Sequence, residues 1–175
     1  MLYKPLHFRL EELVCPHVFY RFGEQCWQFL EEKNLRNIDW LRGYYNKAVF
    51  INNYWMPQFQ GSDYIKELIR RIQAGEPIFE DQMPEKPVGF DSQSGYRCPL
   101  CSLVNEDHTK KGIIYASAHE RAAANDFHVE GMLAQEVRDD LVKNQIKVPF
   151  PFRLEDKVSW VHMDSCDTGQ KVSLF

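Results

Sequence analysis

Apolar positions along the chain change period several times, and each change marks a different kind of element. Near the start, Phe8, Leu10 and Leu13 form a short helical stripe that ends at Pro16. Two amphipathic stretches follow, QCWQFLEEKN with Cys26, Phe29 and Leu30 on one face, and NLRNIDWLRGYYN with Leu35, Ile38, Leu41 and Tyr45 on the next, so two helices are expected within 22–46. AVFINNYW, residues 48–55, is β-branched and aromatic and predicts a strand running into a turn. Behind it, Ser62 is placed to cap a helix over 63–74, because Tyr64, Ile65, Leu68 and Ile72 repeat at helical spacing and Gly75 ends the run.

Residues 76–89, EPIFEDQMPEKPVG, carry prolines and acids and read as an exposed connection that could form a rim over a site. The rest is mostly strand-like. GIIYAS at 112–117 and DFHV at 126–129 predict strands, and EGMLAQEVRDDLVKNQ predicts a helix with Met132, Leu133, Val137 and Leu141 on one face. FRLEDKVSWVHMD predicts a hairpin turning near Asp156 and Lys157, and KVSLF a closing strand. Helices first and strands afterwards, with one helix interposed, predict an α+β fold on an antiparallel sheet with helices on one face. A single domain is expected, with a mostly helical part over 1–90 and a site-bearing core over 91–175.

Composition narrows the function classes. At 175 residues, 44% hydrophobic and 14% aromatic, the chain can bury a core and is not a disordered polymer. Basic residues number 21 against 25 acidic, a net charge of −4, which offers no general basic footprint for nucleic acid. MLYKPLHFRLEELV lacks the apolar run of a secretory signal, and no stretch reaches the length of a membrane span, so cytoplasmic synthesis is expected.

Five cysteines, an odd number with no export signal, read as free thiols rather than a disulfide framework. Cys98-Pro-Leu-Cys101 has the ligand spacing of a zinc knuckle, but no second CxxC pairs with it. His108 and one distant cysteine are the completions considered, against a plain reduced turn after a strand.

The chemistry concentrates in SAHERAAAND, residues 117–126, and WVHMD, residues 160–164. His119 lies just past one expected strand and Asp126 opens another, with Ala122, Ala123 and Ala124 keeping the excursion compact. In the later strand, alternation puts Trp160, His162 and Asp164 on one face, so His162 can face His119 and Asp126. Two imidazoles and one carboxylate suit Zn2+ and leave a fourth tetrahedral position open. His128 shares the face of Asp126, as a neighbour of the site or an ordinary surface histidine.

The ordered residues Ser117, His119, Ala122, Ala124 and Asp126 closely resemble the SxHxxGxAxD motif of the zinc D-Ala-D-Ala carboxypeptidases and dipeptidases, a family that includes L-alanyl-D-glutamate endopeptidases and shares its zinc scaffold with lysostaphin-type peptidases and the Hedgehog domain. WVHMD looks like that family's closing W-x-H-x-D segment, and SGYRCP, residues 94–99, its SGYR strand. The resemblance covers residues 94–164 and little of the first 90. It implies zinc held by His119, Asp126 and His162, Arg97 on the scissile carbonyl or a substrate carboxylate, Ser117 near the substrate, and Trp160 as a pocket wall. The implied activity is hydrolysis of peptidoglycan stem-peptide bonds, of D-Ala-D-Ala or L-Ala-D-Glu type, by a bacterial or phage-associated enzyme acting at the cell wall. The alternative is an inactive zinc-bearing domain that serves as a binding or structural module.

Two departures from the family pattern bear on that choice. Where some relatives place a glutamate three residues before the last histidine, this chain has Ser159, which leaves Glu155 and Asp156 as candidate proton carriers, Glu155 having the longer reach. Ala122 stands where the family has glycine, and if that position needs a positive φ, alanine there costs about 1 kcal/mol.

Overall fold

A computed structural model describes residues 2–175. The chain opens with two short helices, α1 (Leu10–Leu13) and α2 (Pro16–Phe22), the second started by a proline in its first turn, where a missing N–H costs nothing. A 3-10 segment over Gly23–Phe29 then leads into α3 (Glu32–Tyr45). The expected helical pair within 22–46 is therefore one 3-10 run and one α-helix. β1 is only Val49–Phe50, because the chain turns away after it into α4 (Pro57–Gln60).

α5 (Asp63–Ala74) matches its sequence reading to the residue. The Ser62 side chain accepts from the Ile65 N–H, and Gly75 closes the helix in the left-handed region at φ 69. Residues 76–89 pack along α5. Ile78 is buried against Tyr64, Ile65 and Leu68, Arg71 donates to the carbonyls of Pro77 and Gln82, and Glu80 accepts from Ser102. Apolar burial at Ile78 is what pins this connection to α5.

After it come α6 (Ser102–Thr109), β2 (Ala124–Val129), α7 (Ala134–Lys143), β3 (Phe152–Leu154), β4 (Val161–Asp164) and β5 (Val172–Leu174). GIIYAS forms no strand; no strand pairs with it, and Ile114 and Tyr115 stand exposed. The CPLC turn follows no strand either and leads into α6, with Cys101 at its N-cap.

The sheet has the order β1-β2-β4-β3-β5. It is mixed: β1, β2, β4 and β3 pair antiparallel, while β5 runs parallel to β3. The expected purely antiparallel sheet fails at this edge, because the connection from β4 carries the chain past β3 and brings it back in the same direction. α+β remains the class.

Register assigns the two faces. Phe127, Val161, Met163 and Leu154 stand opposite one another and join Leu35, Ile38 and Leu41 of α3 and Val137 and Leu141 of α7 in one core. The other face carries Asp126, His162, Asp164 and Arg153. A smaller cluster of Tyr54, Phe59, Tyr64, Ile65, Leu68, Ile78 and Phe90 fills the α5 side. Among the described residues no helix is long and apolar enough to cross a membrane.

Candidate metal centres

Three stretches that are distant in sequence meet at the open end of the sheet. Asp126 and His162 are cross-strand partners in the β2–β4 ladder, so their side chains leave the same face. His119 arrives from the turn over 117–122, which is tied to both neighbours: Arg97 donates its backbone N–H to the His119 carbonyl at 3.3 Å, and Asp126 donates its own to Ser94 at 2.7 Å. Residues 94–97 thus form a strap between that turn and β2.

His119 Nε2 lies 3.3 Å from His162 Nδ1 and 3.3 Å from Asp126 Oδ2, and His162 Nδ1 lies 2.7 Å from Asp126 Oδ1. Donors at the ~2.0–2.1 Å bond lengths of tetrahedral zinc stand about 3.4 Å apart. The trio fits the ion that its resemblance implies, needing only a small spreading of the Asp126–His162 pair. His119 Nδ1 donates to the Gly95 carbonyl at 2.9 Å, which leaves Nε2 as the nitrogen that could hold an ion. Asp164, held by Arg153 at 3.0 and 2.7 Å, lies 3.7 Å from His162 Nε2 and steadies that ring from behind.

The electrostatics are those of a buried, mutually compensated cluster. Burial opposes the charge on Asp126, but its contacts with His119 and His162 and the Arg97 cation hold it well below the usual carboxylate range. Burial pushes His119 down. At His162 burial also opposes charge, yet the contacts with Asp126 and Asp164 prevail and push it up to about 9.

Of the other residues singled out in the sequence, Arg97 is in the site, its Nη2 2.6 Å from Asp126 Oδ2 and its Nε donating to the Gln93 carbonyl. Glu155 extends the β3–β4 ladder by one step, donating its N–H to the His162 carbonyl at 3.2 Å, so it shares the face of His162. Asp156 lies in the bend, its N–H donating to the Phe175 carbonyl. Ser117 is occupied locally: its hydroxyl accepts from the Glu120 N–H and its own N–H donates to the Glu120 carboxylate, which closes the turn that carries His119. Trp160 is partly exposed, and its carbonyl accepts from Arg138. His128 is exposed, two residues along β2 from Asp126 and opposite Phe50 of β1, and is not one of the three converging side chains. Ala122 has φ 58 and is buried, so the position does require the left-handed conformation.

Sequence reasoning missed Arg138, a buried cation on α7 whose guanidinium donates to the carbonyls of Val158 and Trp160 at 2.9 Å each and so fixes the β3–β4 hairpin. Phe175 was missed as well; its ring stands edge-on to His162 with Arg153 over it. Neither has a local signal in the chain.

All five cysteines are free, as expected, and a four-residue cluster adds to that reading. Cys15, His17, Cys98 and Cys101 are all buried, with ligand atoms within 4.8 Å of one another, and together they could bind a metal ion. His108 takes no part: it contacts Glu120 at 2.8 Å and the Ile113 carbonyl. Burial pushes the Cys15 thiol up to about 12 and raises Cys101, whereas hydrogen bonds from Cys101 and Cys15, with His17 beside them, hold Cys98 well below its usual value. The signal available in the sequence was C-x-H at 15–17 to set against C-x-x-C at 98–101, paired spacings on separate stretches.

Compared with protein-family models, with curated proteins and with solved structures, the chain matches none of them.

Proposed function

We propose that the chain is a zinc-dependent amide hydrolase that acts on the stem peptides of peptidoglycan, at D-Ala-D-Ala or L-Ala-D-Glu type bonds. The observation that carries the reading is the convergence of His119 Nε2, His162 Nδ1 and Asp126 at ligand spacing, with Arg97 beside them and Glu155 on the same sheet face. The likeness of SGYR, SAHERAAAND and WVHMD to the zinc D-Ala-D-Ala peptidases supplies the substrate class.

In this reading His119, Asp126 and His162 hold the ion, the Gly95 carbonyl sets the His119 tautomer, and Asp164 orients His162. Bound zinc supplies a Lewis acid and lowers the pKa of water toward ~7. Arg97 directs its planar, permanent charge at the carbonyl or terminal carboxylate of the substrate, in place of part of its bond to Asp126. Glu155 takes the proton from the attacking water and returns it to the leaving amine. Peptidoglycan incubated with the protein should release new amine ends, and mass analysis of the fragments identifies the bond. Release that persists unchanged after chelation, or in His162→Ala, would contradict the reading.

A second reading, a zinc-bearing binding module without turnover, draws on Ser159 in the place of the family's glutamate and on the engagement of Arg97 with Asp126. Zinc that is lost in His119→Ala, without fragment release by the wild-type protein, would favour it.

A further inference from the structure

Cys15 and His17 flank Pro16 at the start of α2, and Cys98 and Cys101 flank the tight turn that starts α6. What joins them is backbone pairing. Cys15 donates its N–H to the Tyr96 carbonyl and Tyr96 donates to Leu13, both at 2.9 Å, around a parallel bridge between Val14 and Tyr96. The bridge sets the C-x-H pair against the C-x-x-C pair, while the Cys101 N–H donates to the Cys98 carbonyl at 3.0 Å and folds the knuckle so that both sulfurs turn inward.

The donor set and its spacing are those of one particular ion. Cys101 Sγ lies 3.6 Å from His17 Nδ1. A tetrahedral zinc with Zn–S near 2.3 Å and Zn–N near 2.1 Å places sulfur and nitrogen about 3.6 Å apart. Relative exposures of 0% for Cys15, 5% for His17, 7% for Cys98 and 1% for Cys101 leave no open face for substrate. Nδ1 is the nitrogen of this buried ring that meets a polar atom, the Cys101 sulfur, while Nε2 has no partner. Three soft thiolates and one imidazole select zinc over the hard cations, and four protein donors make a closed, structural site.

We propose that Cys15, His17, Cys98 and Cys101 bind a structural zinc ion, separate from the His119 centre, that clamps the start of α2 to the start of α6. The clamp spans 84 residues between His17 and Cys101. Closing so long a loop removes much unfolded-state entropy, and coupling metal binding to it makes binding energy into folding energy. The strap of residues 94–97 lies just before the knuckle, so the same ion steadies Gly95, whose carbonyl orients His119, and Arg97. This site does not depend on the hydrolase reading.

The test uses the full chain with the His119 centre removed. His119→Ala/His162→Ala protein, purified under reductant, should retain one zinc per chain, released when a mercurial blocks the thiols. The same variant loaded with Co2+ should give an intense near-ultraviolet thiolate-to-cobalt charge-transfer band, which a His2Asp site cannot produce. Cys98→Ser should lose both zinc and band. The wild-type chain loaded with Co2+ gives the same band and decides the matter even where a variant fails to fold. No band in the wild-type protein, or a disulfide among Cys15, Cys98 and Cys101 in anaerobically purified protein, would overturn the proposal.

Discussion

Glu155 stands directly across the β3–β4 ladder from His162, its amide donating to the His162 carbonyl at 3.2 Å. Cross-strand partners share a face, so its side chain leaves the sheet on the side of His162 and Asp126, whereas Asp156 lies in the bend beyond. Glu155→Gln should lower amide hydrolysis by about 10²–10⁴-fold with zinc content unchanged. Asp156→Asn should stay within a few-fold of wild type. The opposite ranking in turnover assays would move the proton carrier to Asp156.

Gly95 cannot accept a side chain. A Cβ there would lie 2.3 Å from the Leu13 carbonyl oxygen, a backbone atom fixed by the bridge that joins residues 14 and 96. Gly95→Ala should destabilise the fold by about 3 kcal/mol, at the upper end of what overpacking costs. Because the Gly95 carbonyl also orients His119, zinc affinity should fall with it. Urea unfolding and zinc titration check the two effects, and a variant as stable as the parent would contradict the packing described.

Ala122 poses a contest of small terms. Relief of its left-handed strain by glycine is worth about 1–2 kcal/mol, set against about 0.5–1 kcal/mol of extra chain entropy and about 0.8 kcal/mol for the buried methyl. Ala122→Gly should therefore lie within about 1 kcal/mol of wild type. Ala122→Val, branched at Cβ in the same conformation, should lose about 2 kcal/mol or more. Equal thermal stability of all three proteins would contradict the positive φ.

Asp39 gives a pH signature that involves neither candidate metal cluster. It accepts from Tyr3 Oη at 2.6 Å and from the His7 N–H at 3.0 Å. Burial opposes its charge, but these donors prevail and its pKa lies below the ordinary value. A depressed folded pKa adds stability that is complete above the unfolded value, near 3.9, and is lost as pH falls through the folded one. Asp39→Asn should cost about 1–3 kcal/mol at pH 7, and the gap to wild type should narrow below about pH 4. A gap that stays constant down to pH 2.5 would contradict this.

Much of the site was legible because its signals are local. Ser62 and Gly75 bracket α5, and the His119–Asp126 spacing with the alternation around His162 pointed to three side chains that do meet. What escaped depends on non-local pairing. Nothing near Cys15 or His17 announces that the Val14–Tyr96 bridge will bring Cys98 and Cys101 to them. GIIYAS has strand composition, but no strand pairs with it, and the parallel β5 edge follows from the route of the chain after β4. Arg138 is buried where its helix meets two carbonyls of a distant hairpin, a place that helical periodicity assigns to an apolar residue.

The most direct test of the central claim measures zinc by elemental analysis in wild-type and His119→Ala protein, with release of amine ends from purified peptidoglycan scored in the same samples. The account predicts that His119→Ala contains one zinc per chain fewer than wild type and releases no amine ends. Equal zinc in the two proteins, or undiminished release by the variant, would contradict it.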